Sequence, residues 1–474
     1  MLPIVWLLAA FVAHVPFAVR AEDWPQFRGM NASGLSLESS NLPTEFSTEQ
    51  NCRWSVELKE GIASPIISAG RVFATEMSGP GTFAVLAFDA AEGKPLWRQE
   101  FETGPLPTLM PPNVPASSTP ASDGTKVYVH FCTLGMLALD AATGEVVWKR
   151  PLPEAFYLMA WGDANSPIVY DDLVIYNQDD DLAPFLIALD KQTGEVRWRT
   201  PRPDMLAGYS VPVLCTAGGR TDVVIAGTGK LKGYDPATGK ERWTCNTLVR
   251  TMMTSPVVHD DTIYVSVQSY GDSSRLLKFA LLEWKDTNQD AKLAKSEVPE
   301  AFWKKFDAGD TDGDGFLVDK EIDTAFQSPD NLVGGGSIVQ AIRGGGEGNV
   351  TKTHVRWSLE NKASSNIASP LWTNGRLFVV KQSGLSSCFD AETGTAHWML
   401  KRIDNLGNYY GSPVAADGKI FVPGENGFVV VLKDGPKKEV LAINDLADPL
   451  IATPAIADGR LYFRTSRRLL CIGN

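Results

Sequence analysis

Short apolar runs alternate with polar turns along almost the whole chain, a pattern of strands joined by tight connections. The clearest example is residues 137–148, LALDAATGEVVW: an apolar strand, a turn, and a second strand ending in Trp. Asp140 can accept hydrogen bonds from the backbone two residues on, and Gly144 supplies the positive φ that closes a short hairpin loop. Trp148 then offers a large surface to bury. The unit recurs at residues 87–97 (AFDAAEGKPLW), 188–198 (ALDKQTGEVRW), 233–243 (GYDPATGKERW) and 388–398 (CFDAETGTAHW).

A second marker, a small residue or Val followed by Pro, precedes each apolar run. It occurs at Ser64-Pro65, Thr119-Pro120, Ser166-Pro167, Val211-Pro212, Ser255-Pro256, Ser369-Pro370, Ser412-Pro413 and Thr453-Pro454. The intervals between the prolines are 55, 47, 45, 44, 114, 43 and 41 residues, which makes eight units with one insertion. Another β-rich run, such as residues 126–130 or 376–380, lies between marker and hairpin, so each unit holds four short strands. Four strands in about 45 residues, repeated, is the signature of a β-propeller blade. A blade cannot bury both faces alone and must stack on its neighbours. Trp54, Trp97, Trp148, Trp198, Trp243, Trp357 and Trp398 are the expected wedges between blades, and the eighth equivalent, near Val440, lacks one. Trp54 precedes the first marker, so residues 51–58 are predicted to pair with residues 468–472 and close the ring, which removes both free edges. The fold class is therefore all-β: an eight-bladed β-propeller closed by its N- and C-terminal strands, with a small α-helical insertion. The predicted divisions are a leader over 1–21, propeller over 22–268 and 337–474, and the insertion over 269–336.

Asp23-Trp-Pro-Gln-Phe-Arg-Gly29 and the repeated A-x-D-x-x-T-G-x-x-x-W units resemble the PQQ-like β-propeller repeat family. That family includes quinoprotein alcohol dehydrogenases and the BamB outer-membrane assembly lipoproteins, and the chain is most similar to the secreted BamB-like propellers of planctomycetes. The resemblance covers nearly all of the mature chain and implies the fold; it leaves function open. Its catalytic members hold the quinone against a vicinal disulfide and a calcium ion in the propeller centre. The six cysteines here (52, 132, 215, 245, 388, 471) include no adjacent pair.

The β pattern stops between Gln268 and Ser337. Residues 275–284 read as an amphipathic helix. Asp286-Thr-Asn-Gln-Asp-Ala-Lys-Leu-Ala-Lys-Ser-Glu297 follows, with oxygen side chains at loop positions 1, 3, 5 and 12: Asp286, Asn288, Asp290 and Glu297. A helix is expected from Glu297 to about Asp307, then a second loop, Asp310-Thr-Asp-Gly-Asp-Gly-Phe-Leu-Val-Asp-Lys-Glu321, with Asp310, Asp312, Asp314 and Glu321 at the same positions, and a last helix to about Phe326. This is the EF-hand calcium loop. Calcium takes six to eight oxygens; three come from positions 1, 3 and 5, one from the backbone carbonyl at position 7 (Phe316), and two from a bidentate Glu at 12. Gly315 makes the bend in the second loop. Ala291 replaces that glycine in the first, at a cost of about 1–2 kcal/mol if the bend is left-handed. Position 9 is apolar in both loops (Ala294, Val318), leaving that vertex to water. Residues 344–348 read as a long turn before a strand over 351–357; with no helix following, these glycines do not form a phosphate cradle.

The apolar run over residues 4–13 has signal-peptide length, and Val19-Arg20-Ala21 places small residues for cleavage after Ala21, so a periplasmic or secreted location is expected. With a net charge of −12 over 474 residues, nucleic acid is an unfavourable partner. The mature chain has four histidines (130, 259, 354, 397), with no HExxH and no G-x-S-x-G, and no catalytic or quinone-binding residue is assigned. The favoured expectation is an extracytoplasmic, non-catalytic binding scaffold with calcium as its cofactor. It would act as a monomer with no membrane span, and its protein or glycan partner would meet it at the channel face. The alternatives are a quinoprotein-type oxidoreductase and a carbohydrate-active hydrolase or lyase, the last favoured by acidic and basic residues clustered with aromatic platforms at one channel end. Cys52 and Cys471 align with hairpin positions expected to face each other, as 87 would face 95; a disulfide and two buried thiols both remain open.

Overall fold

The computed structural model describes residues 22–157, 160–205, 208–227, 229–247, 253–269, 285–288, 290–298, 300, 303–326, 336–360 and 367–474. Eight sheets of antiparallel strands form the blades of a propeller. Blade 1 comprises Ile66–Ser68, Arg71–Gly79, Thr82–Asp89 and Pro95–Glu102, and blades 2 to 7 follow in chain order. Blade 8 takes Ala455–Ala457, Arg460–Arg464 and Arg468–Ile472 from one end of the chain and its outer strand, Cys52–Glu57, from the other. The predicted closure is thus present. The expected leader (1–21) and the helix expected over 275–284 fall outside the described residues.

The repeated turn and the Trp form an interlock between blades. In blade 3, Asp190 Oδ1 accepts the backbone N–H groups of Gln192 and Thr193, at 2.8 and 3.0 Å, and shapes the turn. Gly194 stands there at φ +71°, and the Trp148 ring of blade 2 lies so close that a Cβ on Gly194 would come within 2.6 Å of it. The Trp148 indole N–H donates to the Lys191 carbonyl at 3.2 Å. The same donation joins Trp54 to Ala90, Trp97 to Ala141, Trp198 to Pro236 and Trp357 to Ala391. Two of the seven expected wedges behave differently. Blades 5 and 7 lack the D-x-x-T-G turn, so Trp243 and Trp398 have no such carbonyl ahead of them. Trp243 folds over Gly233 of its own blade and donates to Asp222 Oδ2 at 2.7 Å, while Trp398 reaches Ser386 Oγ at 3.4 Å.

The Pro markers explain themselves near the axis. Seven of the eight residues before the prolines donate their backbone N–H to the side-chain hydroxyl of the counterpart in the next blade: Ser64 to Thr119, Thr119 to Ser166, Val211 to Ser255, Ser255 to Ser369, Ser369 to Ser412, Ser412 to Thr453, and Thr453 back to Ser64, at 2.9–3.1 Å. Val211 carries no hydroxyl and interrupts the ring after Ser166. Val211→Thr should complete it and raise stability by about 0.5–1.5 kcal/mol, the net worth of one buried hydrogen bond. Urea unfolding would check this, and an unchanged or lowered midpoint would show that the Ser166 N–H is not directed at position 211.

The segment before Cys52 braces the inner strands. Trp24 and Ile67 of blade 1 exchange backbone hydrogen bonds at 2.8 and 2.9 Å, and Ser122 of blade 2 donates to the Pro25 carbonyl at 2.8 Å. The Asn31 side chain bonds both the N–H and the carbonyl of Leu214 in blade 4. The Arg28 guanidinium reaches the Pro370 carbonyl of blade 6 at 2.7 Å, and Ala415 of blade 7 donates to the Gly34 carbonyl at 2.8 Å. Arg28 is fully buried, and that burial lowers its pKa to about 9.

Three local expectations need correction. A bulge precedes each Trp, so Ala87 faces Trp97 and Phe88 faces Pro95, not 87 facing 95. The same bulge sets Trp54 opposite Cys471 and Cys52 opposite Ile472. Cys52 and Cys471 are therefore not a facing pair, and both are free thiols. Residues Thr351–His354 form one helical turn, not strand, and Gly348–Asn349 adds a short parallel fifth strand to blade 4. Where a helix was expected from residue 297, a 3-10 turn covers Lys295–Glu297 and the α-helix runs from Trp303 to Gly309.

Candidate functional site

The insertion lies in blade 5 between Thr262–Ser269 and Gly336–Arg343, whose ends pair as Ser269 with Gly336. Its two acidic loops fold alike. Residues Leu293–Ala294 and Phe316–Leu317 form a two-stranded ladder that joins them, Leu293 opposite Leu317 and Ala294 opposite Phe316. Helices Trp303–Gly309 and Asp319–Phe326 flank the second loop. Leu293, Val298, Phe306, Leu317 and Ile322 are buried together as the insertion's own core.

The structure brings Asp310, Asp312 and Asp314 together, with one carboxylate oxygen from each within 4.8 Å of the others. Local hydrogen bonds set their orientation. Gly315 N–H donates to Asp310 Oδ2 at 3.1 Å, Asp314 N–H to Asp312 Oδ1 at 3.1 Å, and Phe316 N–H to Asp314 Oδ1 at 2.8 Å. Asp310 Oδ1 is buried and has no hydrogen-bond partner, an acceptor oriented for a cation. Glu321 closes the loop: its Oε1 accepts the Thr311 N–H and hydroxyl, both at 2.9 Å. The Thr311 hydroxyl is foremost in holding the Glu321 carboxyl below its ordinary pKa.

In the first loop Asp286 Oδ2 accepts the Ala291 N–H at 2.7 Å, Asp290 N–H donates to Asn288 Oδ1 at 3.0 Å, and Glu297 accepts Thr287 and Ala294 N–H groups. The Ala294 N–H is the main cause of a lowered Glu297 pKa. Ala291 sits at φ +63° where Gly315 sits at +85°, so the alanine carries the left-handed bend and its strain. Of the nine sequence-assigned positions, Phe316 included, the structure gathers Asp310, Asp312 and Asp314 into a set of oxygens of the kind a hard cation takes, while among the described residues Glu321 and the first-loop carboxylates Asp286, Asp290 and Glu297 are not within the same reach of one another.

Sequence reasoning missed a second polar assembly beneath the insertion, on blades 2 to 4. Tyr176 Oη donates to Asp163 Oδ2 at 2.7 Å, with His130 Nδ1 3.3 Å from the same hydroxyl. Burial lowers the His130 pKa against the pull of Asp163. Tyr157 Oη donates to Asn165 Oδ1 at 3.0 Å and its ring stacks on Tyr209 at 4.9 Å. Arg202 pairs with Asp179 at 3.0 Å, both fully buried, and burial pushes the Asp179 carboxyl up to about 6 despite Arg202. The acidic run Asp179-Asp180-Asp181 was the available signal, but its partners lie in separate loops, and no spacing rule joins them. These acidic, basic and aromatic groups meet as the carbohydrate alternative would ask. Asp163, Tyr157, Tyr176, Asp179 and Arg202 are buried, however, and tie strands and loops together, with Tyr209 alone of the two stacked rings part-exposed.

An eight-bladed propeller with interlocking Trp wedges and a closed outer sheet defines a class of ring-shaped repeat proteins. Within it, the chain belongs to the family described as outer membrane protein assembly factor BamB, which matches residues 48–162, 83–302 and 347–445. The fold is similar to that of BamB from Moraxella catarrhalis, with a TM-score of 0.56 and 16% identity, covering 89% of this chain and 97% of that one. It is equally similar to quinohemoprotein alcohol dehydrogenase from Comamonas testosteroni, with a TM-score of 0.56 and 12% identity over 95% of this chain and 81% of that one. At such identities both likenesses concern the fold alone. A 33 kDa chaperonin from Oceanobacillus iheyensis is 30% identical over 120 residues; the match spans 23% of this chain and 40% of that protein's length. Among the described residues, no helix is long and apolar enough to cross a membrane.

Proposed function

We propose that this protein is an extracytoplasmic, non-catalytic β-propeller scaffold that binds a protein or glycan partner on its loop face and carries calcium in an EF-hand pair. The observation that carries the scaffold reading is the N-terminal segment across the inner strands, with Arg28 buried among them. A quinone cofactor needs a preformed central cleft with convergent polar groups. Here a side chain of the protein itself reaches blade 6 near the axis, and the sequence supplies no vicinal cysteines to hold a quinone. Membership of the BamB family supports the same reading. The unpartnered Asp310 Oδ1, the clustered Asp310, Asp312 and Asp314, and Glu321 support calcium as the resident ion. The ion would neutralise the loop carboxylates and fix the ladder between the loops.

The oxidoreductase reading is the one the quinohemoprotein likeness keeps alive, and it is tested directly. Reconstitution of the mature protein with pyrroloquinoline quinone and calcium should give neither quinone retention on desalting nor dye-linked alcohol oxidation. Turnover would overturn the scaffold assignment.

A further inference from the structure

The insertion leaves blade 5 but rests on blade 3, past the intervening blade 4. Phe156 and Leu182, in two loops of blade 3's side of the ring, pack against the core formed by Leu293, Val298, Phe306, Leu317 and Ile322. Lys305 Nζ donates to the Asp181 carbonyl at 3.2 Å, and burial lowers the Lys305 pKa. The receiving surface is built by one carboxylate. Asp180 Oδ2 accepts the Phe156 N–H at 3.2 Å, and its Oδ1 accepts the Leu182 and Ala183 N–H groups at 3.1 and 2.8 Å. Asp181 N–H donates to the Phe156 carbonyl at 2.9 Å, which stitches the two loops together. Directly behind Asp180 lie Asp179 and Arg202, the buried pair described above.

The two acidic loops supply residues to the core that meets this docking surface. Leu293 and Leu317 are the facing pair of the ladder between the loops, and both are fully buried in the core that meets Phe156 and Leu182. Phe306 belongs to the helix between the loops. The ladder is flanked by seven carboxylates: Asp286, Asp290, Glu297, Asp310, Asp312, Asp314 and Glu321. Their mutual repulsion opposes the compact arrangement in which the insertion core meets Phe156 and Leu182.

We propose that calcium locks the insertion onto blade 3: filling the two loops fixes the Leu293–Leu317 ladder, and the ladder seats the insertion core on Phe156 and Leu182. Calcium thereby sets the composition of the loop face that a partner meets. The proposal rests on the calcium reading above and adds a coupling that calcium binding alone does not require.

The test uses the full mature protein with calcium chloride, against the same protein in chelator. Calorimetry reads binding, and hydrogen exchange reads docking. Calcium should slow exchange of the Leu182 amide about tenfold or more, because Leu182 packs against the docked core. Leu182→Ser should erase this protection difference and weaken calcium binding several-fold, since docking and binding are linked reciprocally. If calcium binds with unchanged exchange at residue 182, the coupling is wrong and the calcium reading survives. Unchanged affinity in Leu182→Ser would also overturn the coupling. If calorimetry shows no binding, the calcium reading itself falls and the coupling with it.

Discussion

Replacing Trp148 with alanine is expected to cost about 3–5 kcal/mol of unfolding free energy, the range for deleting a large buried aromatic. The ring is only 8% exposed, stands 6.0 Å from Tyr128, and covers Gly194 of the next blade. The deletion would open a cavity between blades 2 and 3 and leave the Lys191 carbonyl without its indole donor. Tyr128 Oη also donates to that carbonyl at 3.2 Å, so the polar loss is partly covered and the cavity dominates. Urea unfolding followed by tryptophan fluorescence and by circular dichroism measures the loss; a change below about 1 kcal/mol would mean that the wedge is replaceable. Gly194→Val offers a check from the other side of the joint. It puts a branched side chain at φ +71° and into the Trp148 ring, so it should destabilise as well.

Glu321→Gln is expected to weaken calcium binding at the second loop by on the order of 100-fold, more than loss of an outer-shell group would. The substitution preserves shape but removes the charge that an EF-hand glutamate at position 12 would bring to the ion. The Glu321 Oε1 is already held by Thr311, which keeps the amide in the loop, while the amide nitrogen loses the Val318 N–H that Oε2 now accepts at 3.3 Å. Titration calorimetry on the wild type should show two events, the weaker belonging to Asp286, Asn288, Asp290 and Glu297, where Ala291 bears the strain. In the variant the tighter event should vanish and the weaker persist. An unchanged calcium stoichiometry would remove Glu321 from the ligand set. With calcium at about a thousand times its Kd, a bound ion adds about 4 kcal/mol to the stability of the unit that holds it. Chelation should therefore melt the insertion well before the blades.

The architecture was readable because it is written locally and repeatedly. Asp140, Gly144 and Trp148 lie within nine residues, and each copy of that set reports one blade. The acidic loops were readable for the same reason, since their oxygens follow one spacing along the chain. What escaped was non-local or depended on a single-residue irregularity. The bulge before each Trp shifted every facing pair by a residue, and with it the relation of Cys52 to Cys471. The inward turn of Trp243 depends on a neighbour, blade 5, that lacks the receiving turn. The Arg28 placement joins residue 28 to residue 370, and the Asp163–Tyr176–His130 and Asp179–Arg202 groupings join strands and loops far apart in sequence. The motif around Arg28 was visible as a motif, but nothing in its composition said that it would lie against the inner strands.

The two-ended blade 8 also dictates an order of events during synthesis. Strand Cys52–Glu57 emerges first and has no partner until Arg468–Ile472 exists, so it waits as a bare edge while the other seven blades are made. Pairings this far apart in sequence form slowly, because the loop to be closed is nearly the whole chain. Until they form, Trp54 can already dock on Ala90, but the hydroxyl of Ser64 has no Thr453 amide to receive, and the ring of hydrogen bonds, already interrupted at Val211, stays open at this joint as well. The nascent ring is therefore an open arc with two sticky ends, and the side-by-side arrival of many copies is its period of greatest risk of joining the wrong chain. Closure ends that risk in one step, when Leu470 reaches Ser55.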